Sequence, residues 1–326
     1  MDATLKWRRR LASSRSAALH PLRPQLSSYR DLVFKIRDHK VGGAFMRRRV
    51  SPWQAVAVAV LSVLTVLYLF PFYWMVVTAL KPLVEFYQFP PTLLPVHATV
   101  GPFLSVLFAR GYLVLLRNSL VACLTAVAAG IVVAMLIAYP VTRLPVSPAF
   151  RRGLMNWILS LRFLPPIVVV IPFFDIVRKL GLYDSLLSLV LLYTVFSLPL
   201  ATWMLRGFLL EVPMEIEEAA LVDGASRFYA FFKIVLPQLA PALLATGVIT
   251  FALAWSEFMF AFILSATPRS QTFPIGVASL VTQFEIIWNE MAAVGTIAAV
   301  VPILLLLFAR RYVIVALTFG AVREKA

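Results

Sequence analysis

Charged residues and cysteines are both scarce in this sequence of 326 residues. Charged residues make up 14% of it and hydrophobic residues 61%, whereas soluble domains average about 25% and 45–50% respectively. This balance excludes a soluble enzyme and is typical of an integral membrane protein. The one cysteine, Cys123, excludes a disulfide within the chain and a metal site built from clustered cysteines. Three scattered histidines, His20, His39 and His97, make no metal site either.

Acidic residues are half as numerous as basic ones, 15 against 30, and the basic excess is concentrated at one end. Residues 1–53 hold 13 Lys and Arg but only three Asp. They are rich in Ser and Arg and show no helical period, so we expect a disordered basic tail in the cytoplasm. A regulatory or lipid-binding tail is the alternative, since Met46-Arg47-Arg48-Arg49 would meet anionic membrane lipid. The excess therefore does not indicate binding to nucleic acid.

Six segments are long and apolar enough to cross a membrane, which takes roughly 20 residues. They are Gln54–Leu80, Tyr112–Tyr139, Leu154–Phe174, Ser185–Leu205, Pro241–Leu264 and the shorter Ala292–Phe308. With the N-terminus inside, 23 of the 30 Lys and Arg are cytoplasmic and five lie in outer loops, which favours cytoplasmic termini at both ends. Pro165-Pro166 should kink the third segment. The predicted fold is an all-α membrane protein with six transmembrane helices.

The longest inner loop, 206–240, carries helix-boundary signals rather than the composition of a simple linker. Pro213 suits a first helical turn, and Glu215, Glu217 and Glu218 lie near the positive end of that helix. Gly224 suits a left-handed end to it, Ser226 can cap a second helix, and Pro237 would close that helix. We expect two short helices joined at a glycine beneath the membrane. An acidic linker on the membrane surface is the alternative, but acids are poorly placed against anionic headgroups.

The same loop carries a family motif. The EAA motif of ABC importer permeases is matched, at its usual spacing, by Glu218-Ala219-Ala220, Gly224, Ile234 and Leu236-Pro237. Beyond Trp53 the sequence resembles the carbohydrate-uptake branch of that family, the branch of the smaller membrane subunit of the maltose transporter. Further similar stretches are Asn118-Ser119-Leu120, Arg162 to Pro166, Leu205 to Phe208, Trp255-Ser256-Glu257-Phe258 and Arg311 to Arg323. The departures are Ser256 in place of the usual Asn, Ala316 in place of the usual Gly, and the long N-terminal tail.

The resemblance implies a type I ABC importer transmembrane domain with a cytoplasmic EAA coupling loop. It divides the chain into the tail 1–53, a first helix and outer loop over 54–111, a core over 112–310 and a cytoplasmic C-terminal tail over 311–326. It implies that the loop docks on an ATPase through Glu218, Ala219, Ala220, Asp223, Gly224, Ile234, Leu236 and Pro237. It also implies an ATPase contact by the C-terminal residues Gly320, Ala321, Val322 and Arg323.

The partners that the resemblance implies are two ATPase subunits, a second permease subunit that is usually a different chain, and an extracytoplasmic solute-binding protein. The sequence has no G-x-x-x-x-G-K-[ST] phosphate loop, so ATP and Mg²⁺ would be held by the ATPase and no cofactor or metal by this chain. The expected location is the bacterial inner membrane.

Four polar or aromatic residues within or beside the spans are candidates for lining the pathway, because charge in a membrane usually faces the protein interior or a wet cavity. Arg162 would either hydrogen-bond to a neighbouring helix or line the pathway. Glu257 would form a gate or an interhelical pair. Trp255 would pack against the protein or stack on a sugar ring. Asn118 is more typical of helix–helix contacts than of substrate ligands.

Other functions stay open at this point. The same fold could import a glycerol phosphate, a polyol or another small solute, although Arg162 is the one basic residue deep within a span that could line a path for a phosphorylated cargo. A membrane-embedded enzyme would need an acid or nucleophile cluster at headgroup level, and the acid cluster at 211–223 has no companion histidine. A secondary transporter predicts inverted repeats, and the two halves of the sequence show no convincing repeat.

Overall fold

The structure is a computed structural model that describes residues 52–280 and 287–321, with side chains up to Val313. Every regular element in these two ranges is helical, as predicted. The helices are α1 (Pro52–Ala79), α2 (Leu83–Phe86), α3 (Gly101–Leu104), α4 (Tyr112–Arg143), α5 (Pro148–Ser160), α6 (Pro166–Lys179), α7 (Leu186–Glu211), α8 (Met214–Val222), α9 (Arg227–Tyr229), α10 (Leu236–Gln238), α11 (Ala240–Trp255), α12 (Met259–Leu264), α13 (Phe273–Ser279) and α14 (Trp288–Ala321). A 3₁₀ turn spans Leu161–Phe163, and π-helical turns span Ser105–Ala109 and Ala230–Val235.

Among the described residues, four single helices are long and apolar enough to span a membrane: α1, α4, α7 and α14. Two bent helix pairs raise the number to six if each pair counts as one span, which agrees with the predicted six. Contacts divide the chain between Val66 and Leu67, so residues 52–66 are described only as the first part of α1. The last span is longer than predicted, because α14 continues through Arg310 and Arg311 as one helix of 34 residues.

The third predicted span is a broken helix. The segment Pro148–Phe163 and α6 meet at an angle of 95°, which confirms the kink predicted at Pro165-Pro166. The predicted span 154–174 is therefore one bent pair of helices. Leu164 and Pro165 have extended backbone with ψ of 121° and 130°, since a residue before proline is driven out of the helical region.

The fifth predicted span, Pro241–Leu264, is also divided. Its first part is α11, 16 residues long. The chain then turns at Ser256–Phe258 and continues as the short helix α12. On its inner side, α11 meets the helical segment Arg227–Gln238 at 68°. Pro237 lies one residue before the end of that segment at Gln238, next to where it was predicted to close the helix.

The core is built around the contact between α4 and α7. The buried face of α4 consists largely of small residues: Ala122, Cys123, Ala126, Gly130, Ala134 and Ala138. A Cβ at Gly130 would lie only 2.7 Å from the Ser197 hydroxyl oxygen of α7, so this glycine is required for the approach of the two helices. The opposite side of α4 exposes Val132 and Leu136, and α7 exposes Leu191 and Trp203, as expected of surfaces that face lipid.

The segment between α1 and α4 is folded around a buried acid. The Glu85 carboxylate accepts hydrogen bonds from the backbone N–H of Val96 at 2.8 Å, from that of His97 at 3.2 Å, and from the Thr92 hydroxyl at 3.0 Å. The Val96 bond is the main reason that the pKa of Glu85 lies below its ordinary value. The Lys81 ammonium donates to the Thr92 carbonyl. What the sequence presented only as an outer loop therefore has a defined structure.

Candidate functional site

Residues 206–240 contain the two short helices that the sequence predicts, and we call the stretch from α8 to α10, residues 214–238, the coupling segment after the role that the resemblance implies. The first, α8, ends in a glycine-dependent turn: Gly224 has φ of +89°. The Ala225 N–H donates to the Ala220 carbonyl at 2.9 Å, and the Gly224 N–H to the Leu221 carbonyl at 3.1 Å. This pair of bonds defines a Schellman motif, which needs a left-handed residue at Gly224. The Ser226 hydroxyl then accepts from the Tyr229 N–H at 3.2 Å and caps the second helix, as predicted.

The residues proposed for docking divide by exposure. Five of them are exposed: Glu218, Ala219, Asp223, Gly224 and Pro237. Two are half-buried, Ile234 and Leu236, and Ala220 is buried. Large apolar side chains lie near them on the same segment: Val222 is 86% exposed and Phe228 is 78% exposed. The sequence analysis did not single out Val222. The sequence feature that could have indicated Val222 is its place as an apolar residue directly before Asp223-Gly224, at the predicted end of a helix.

A buried ion pair joins the coupling segment to the spans. The side chains of Arg143, at the end of α4, and Glu217, in the first turn of α8, are each 5% exposed, and their closest N and O atoms are 3.6 Å apart. The Tyr139 hydroxyl donates to the Glu217 carboxylate. The Tyr139 ring also packs edge-on against Phe231, with 4.6 Å between the ring centroids. The sequence analysis treated Arg143 only as an inner basic residue and Glu217 only as part of an acidic cluster.

Arg143 also binds the end of α7. Its Nη2 donates to the Leu209 carbonyl at 2.8 Å and to the Val212 carbonyl at 2.7 Å. The last carbonyls of a helix have no partner within it, and a cation there also interacts favourably with the helix dipole. Arg143 therefore satisfies the end of α7 while it pairs with the beginning of α8. A cavity of about 460 Å³ next to this pair is also lined by Glu218, Arg151 and Arg227.

Asn118 is 1% exposed and binds the loop that follows α12. Its side-chain amide donates to the carbonyls of Pro268 and Gln271, both at 3.0 Å, and of Arg269 at 3.3 Å. The neighbouring Ser119 hydroxyl accepts from the Phe273 N–H at 2.7 Å. The start of α4 therefore holds the loop that precedes α13.

Trp255 and Glu257 lie together at the break between α11 and α12. The Trp255 indole N–H donates to the Ala298 carbonyl of α14 at 3.0 Å, and its ring stacks on Phe251 and Phe273. The Glu257 carboxylate accepts from the N–H groups of Phe260 at 2.9 Å and Ala261 at 3.3 Å, so it caps α12. Trp255 also borders an apolar cavity of about 590 Å³ that includes Phe72, Met75 and Phe258.

The remaining candidates are placed elsewhere or lie outside the described ranges. Arg162 is exposed on the 3₁₀ turn at the bend between α5 and α6. Of the C-terminal residues, Gly320 and Ala321 lie at the end of α14. Val322 and Arg323 fall outside the described residues, as does the predicted tail as far as Ser51.

Apolar spans, two of them broken, define a multi-span helical membrane protein. The chain belongs to the binding-protein-dependent transport system inner membrane component family, whose model matches residues 126–317, more than half of the chain. It is therefore the permease type of subunit and an inner membrane component, as the resemblance implied.

Several relatives match most of the chain. The sulfoquinovosyl glycerol transport permease of Agrobacterium fabrum is 33% identical over 80% of this chain and 91% of the relative. The diacetylchitobiose uptake permease of Streptomyces coelicolor is 33% identical over 78% of this chain and 91% of its own length. The trehalose transport permease of Mycobacterium tuberculosis is 34% identical over 85% and 98% of the two chains.

A solved structure has the same fold. A chain of a bacterial ABC transporter that imports the acidic polysaccharide alginate aligns with a TM-score of 0.68. The alignment covers 82% of this chain and 99% of the solved one at 17% identity. The predicted all-α transmembrane fold of an ABC importer permease is thus confirmed.

Proposed function

We propose that this chain is a permease subunit of an ATP-driven importer and that its cargo is a sugar or an oligosaccharide delivered by an extracytoplasmic binding protein. The relatives named above are permeases for trehalose, diacetylchitobiose and sulfoquinovosyl glycerol, which supports a carbohydrate cargo. An alginate importer with the same fold has been solved together with its binding protein, which carried an alginate pentasaccharide. That complex supports delivery from outside by such a protein.

The coupling segment would link this subunit to ATP hydrolysis on separate subunits. ATP and Mg²⁺ would be held by two ATPase chains, because this sequence lacks a phosphate loop of its own. A second permease subunit would complete the pathway. The observation that carries the proposal is the α8 surface, where Glu218, Ala219 and Asp223 are exposed beside a rigid glycine turn. The small side chain of Ala219 lets a partner approach the backbone, and Glu218 offers a charge to a basic surface.

In the proposed transport cycle, the coupling segment takes one position before ATP binds to the ATPase subunits and another after it binds. Closure of the ATPase dimer on ATP would move the docked segment, and the spans would switch from inward-facing to outward-facing as rigid bodies. Cargo would enter from the binding protein and leave to the cytoplasm after hydrolysis. This places residues 206–240 and both termini in the cytoplasm. Residues 81–111 and the loop after α12 would then face the binding protein.

The proposal predicts that the charge of Glu218 is needed for ATPase association. Glu218→Lys should reduce the ATPase recovered with the tagged complex by at least about tenfold, the scale expected when one charge pair at an interface is reversed. The matched control is Glu215→Lys, which makes the same charge change at another exposed position of α8. Recovery is measured by mass spectrometry after mild detergent extraction.

The pull-down also tests the assembly as a whole. The wild-type chain should bring down an ATPase and a second multi-span permease. Recovery of the wild-type chain alone, with tags tried at either end, would contradict the proposed function. Equal ATPase yield from both variants would contradict only the ionic role of Glu218. Cargo is then tested by uptake into proteoliposomes supplied with the binding protein and labelled trehalose or diacetylchitobiose.

A further inference from the structure

We infer that Arg143, Glu217 and Tyr139 form a buried anchor that makes the coupling segment move as one body with α4 and α7. This inference rests on the proposed function and adds to it the residues that transmit the motion. None of the three belongs to the EAA motif: Arg143 and Tyr139 lie on α4, and Glu217 directly precedes Glu218. They are positioning residues, because they lie behind the exposed docking surface rather than on it.

The anchor spans a joint in the chain. Between the end of α7 at Glu211 and the start of α8 at Met214 there are only Val212 and Pro213, both with extended backbone. The ring of Pro213 fixes its φ, but such a connection can still bend by rotation about ψ. If this joint were free, a displacement of α8 by an ATPase would bend the joint and leave the spans in place.

Arg143 binds both sides of that joint from a third element. Its Nη2 donates to the carbonyls of Leu209 and Val212, on the α7 side. Its guanidinium also faces the Glu217 carboxylate, in the first turn on the α8 side. Each contact is electrostatically matched, because a cation meets the negative end of α7 and an anion lies at the positive end of α8. The joint can bend only if Arg143 gives up one of these sets of partners.

Burial makes the anchor stiff. With both side chains 5% exposed, removing one charge leaves the other buried, and an unpaired charge there is strongly unfavourable. The Tyr139 hydroxyl supplies a further bond to the Glu217 carboxylate, and the Tyr139 ring packs against Phe231 of the second short helix. Both arms of the coupling segment are thus attached to the inner end of α4.

The test is the amount of cargo transported per ATP hydrolysed by the reconstituted complex. Glu217→Gln keeps the size of the side chain but removes the charge that pairs with Arg143, and we expect the ratio to fall about tenfold while ATP hydrolysis continues. The matched control, Glu215→Gln, makes the same chemical change on an exposed residue of the same helix and should keep the wild-type ratio. Tyr139→Phe keeps the ring contact with Phe231, loses one hydrogen bond and should lower the ratio about threefold.

The outcomes separate the inference from the proposed function. If the wild-type complex contains no ATPase, the proposed function fails, and the anchor fails with it. If wild type is coupled and Glu217→Gln keeps the wild-type ratio, the anchor is wrong and the proposed function stands. A purely structural role would lower the amount of complex without changing the ratio, which also overturns the inference. If Glu217→Gln does not assemble, Tyr139→Phe is the variant that tests the anchor. A wild-type ratio of cargo transported to ATP hydrolysed in Tyr139→Phe would then reject the anchor.

Discussion

Asp184 joins two loops through a backbone conformation that is uncommon for a residue other than glycine. Its φ is +56°, in the left-handed region where non-glycine residues are rare. The carboxylate accepts from the N–H groups of Ala266 at 2.9 Å and Thr267 at 3.0 Å, and from the hydroxyls of Thr267 and Ser270. These contacts hold the loop that follows α12 to the loop between α6 and α7. Asn118 also binds the loop that follows α12, through its backbone carbonyls.

Removing this carboxylate should open the loop to protease. In spheroplasts, Asp184→Ala should speed tryptic cleavage after Arg269 by more than about tenfold. It loses four hydrogen bonds, each worth roughly 0.5–1.5 kcal/mol net, and local opening governs cleavage of a folded loop. The matched control is Asp175→Ala, an exposed outer aspartate paired only with Lys179 four residues on. Unchanged cleavage in Asp184→Ala would show that the loop is held by other contacts.

The effect should be nearly independent of pH in the working range. Partial burial raises the pKa of Asp184, but the hydrogen bonds from Ser270, Thr267 and Ala266 outweigh it and lower the pKa to about 2. A lowered pKa means that the stabilisation is present above the ordinary value of about 3.9 and disappears only as the pH falls towards 2. The difference in thermal midpoint between wild type and Asp184→Asn should therefore be equal at about pH 8 and about pH 5.

Within the spans, the structure shows which groups the candidate side chains Trp255 and Glu257 contact. Trp255 was expected to pack against the protein or stack on a sugar ring, and Glu257 to form a gate or an interhelical pair. Trp255 packs and donates to a carbonyl of α14, while Glu257 caps α12 within its own chain segment. A glutamate that caps a broken helix was not among the two roles considered for Glu257. The break at Ser256–Phe258 that creates this cap has no proline or glycine to signal it.

At the scale of single elements, the turn after α8 depends on Gly224. A φ of +89° is accessible to glycine at little cost, but proline has φ fixed near −65° and lacks the N–H that here donates to Leu221. Gly224→Pro should therefore leave expression and membrane insertion largely intact and abolish uptake. Gly224→Ala should be intermediate, because a left-handed residue with a Cβ costs roughly 1–2 kcal/mol.

The matched control for these variants is Gly207→Ala. Gly207 lies in α7, has an ordinary helical backbone, and a Cβ there would meet no atom within 4 Å. We expect normal uptake and a slightly more stable helix, since alanine is the better helix former by about 1 kcal/mol. Full-rate uptake by an assembled Gly224→Pro complex would show that the turn after α8 is not needed for coupling.

At the scale of the whole molecule, the order of spans sets which loops share a side of the membrane. The chain has one cysteine, Cys123, which is 1% exposed, so single-cysteine variants made on a Cys123→Ala background can report topology. Val84 on α2 is 78% exposed and Phe150 on α5 is 57% exposed, with the one span α4 between them. A membrane-impermeant maleimide should label Val84→Cys in intact spheroplasts and Phe150→Cys only after permeabilisation.

Two further measurements make the labelling result decisive. The Cys123→Ala parent should give no signal, and an uptake assay should show that both variants remain assembled. Labelling of Phe150→Cys, but not Val84→Cys, in intact spheroplasts would reverse the orientation. Labelling of both would mean that α4 does not cross the membrane.

Properties that depend on local chemistry were determined by the sequence itself. Composition and run length gave the membrane class and the apolar spans, because a bilayer requires about 20 apolar residues in a row. Pro165-Pro166 gave the break in the third span, and Gly224 with Ser226 gave the two short helices, because these residues restrict or permit particular backbone angles. The motif around Glu218 pointed to the permease family, to which the chain belongs.

Only the tertiary structure decided which distant residues meet. Arg143 binds a carbonyl 66 residues away, Asn118 one 153 residues away, and Asp184 a hydroxyl 86 residues away. Sequence spacing cannot predict such pairs, because they depend on which helix faces pack together once small residues such as Gly130 let α4 and α7 approach. A buried donor or acceptor must find a partner, but the partner is set by packing. For that reason the anchor behind the coupling segment became visible only in the folded chain.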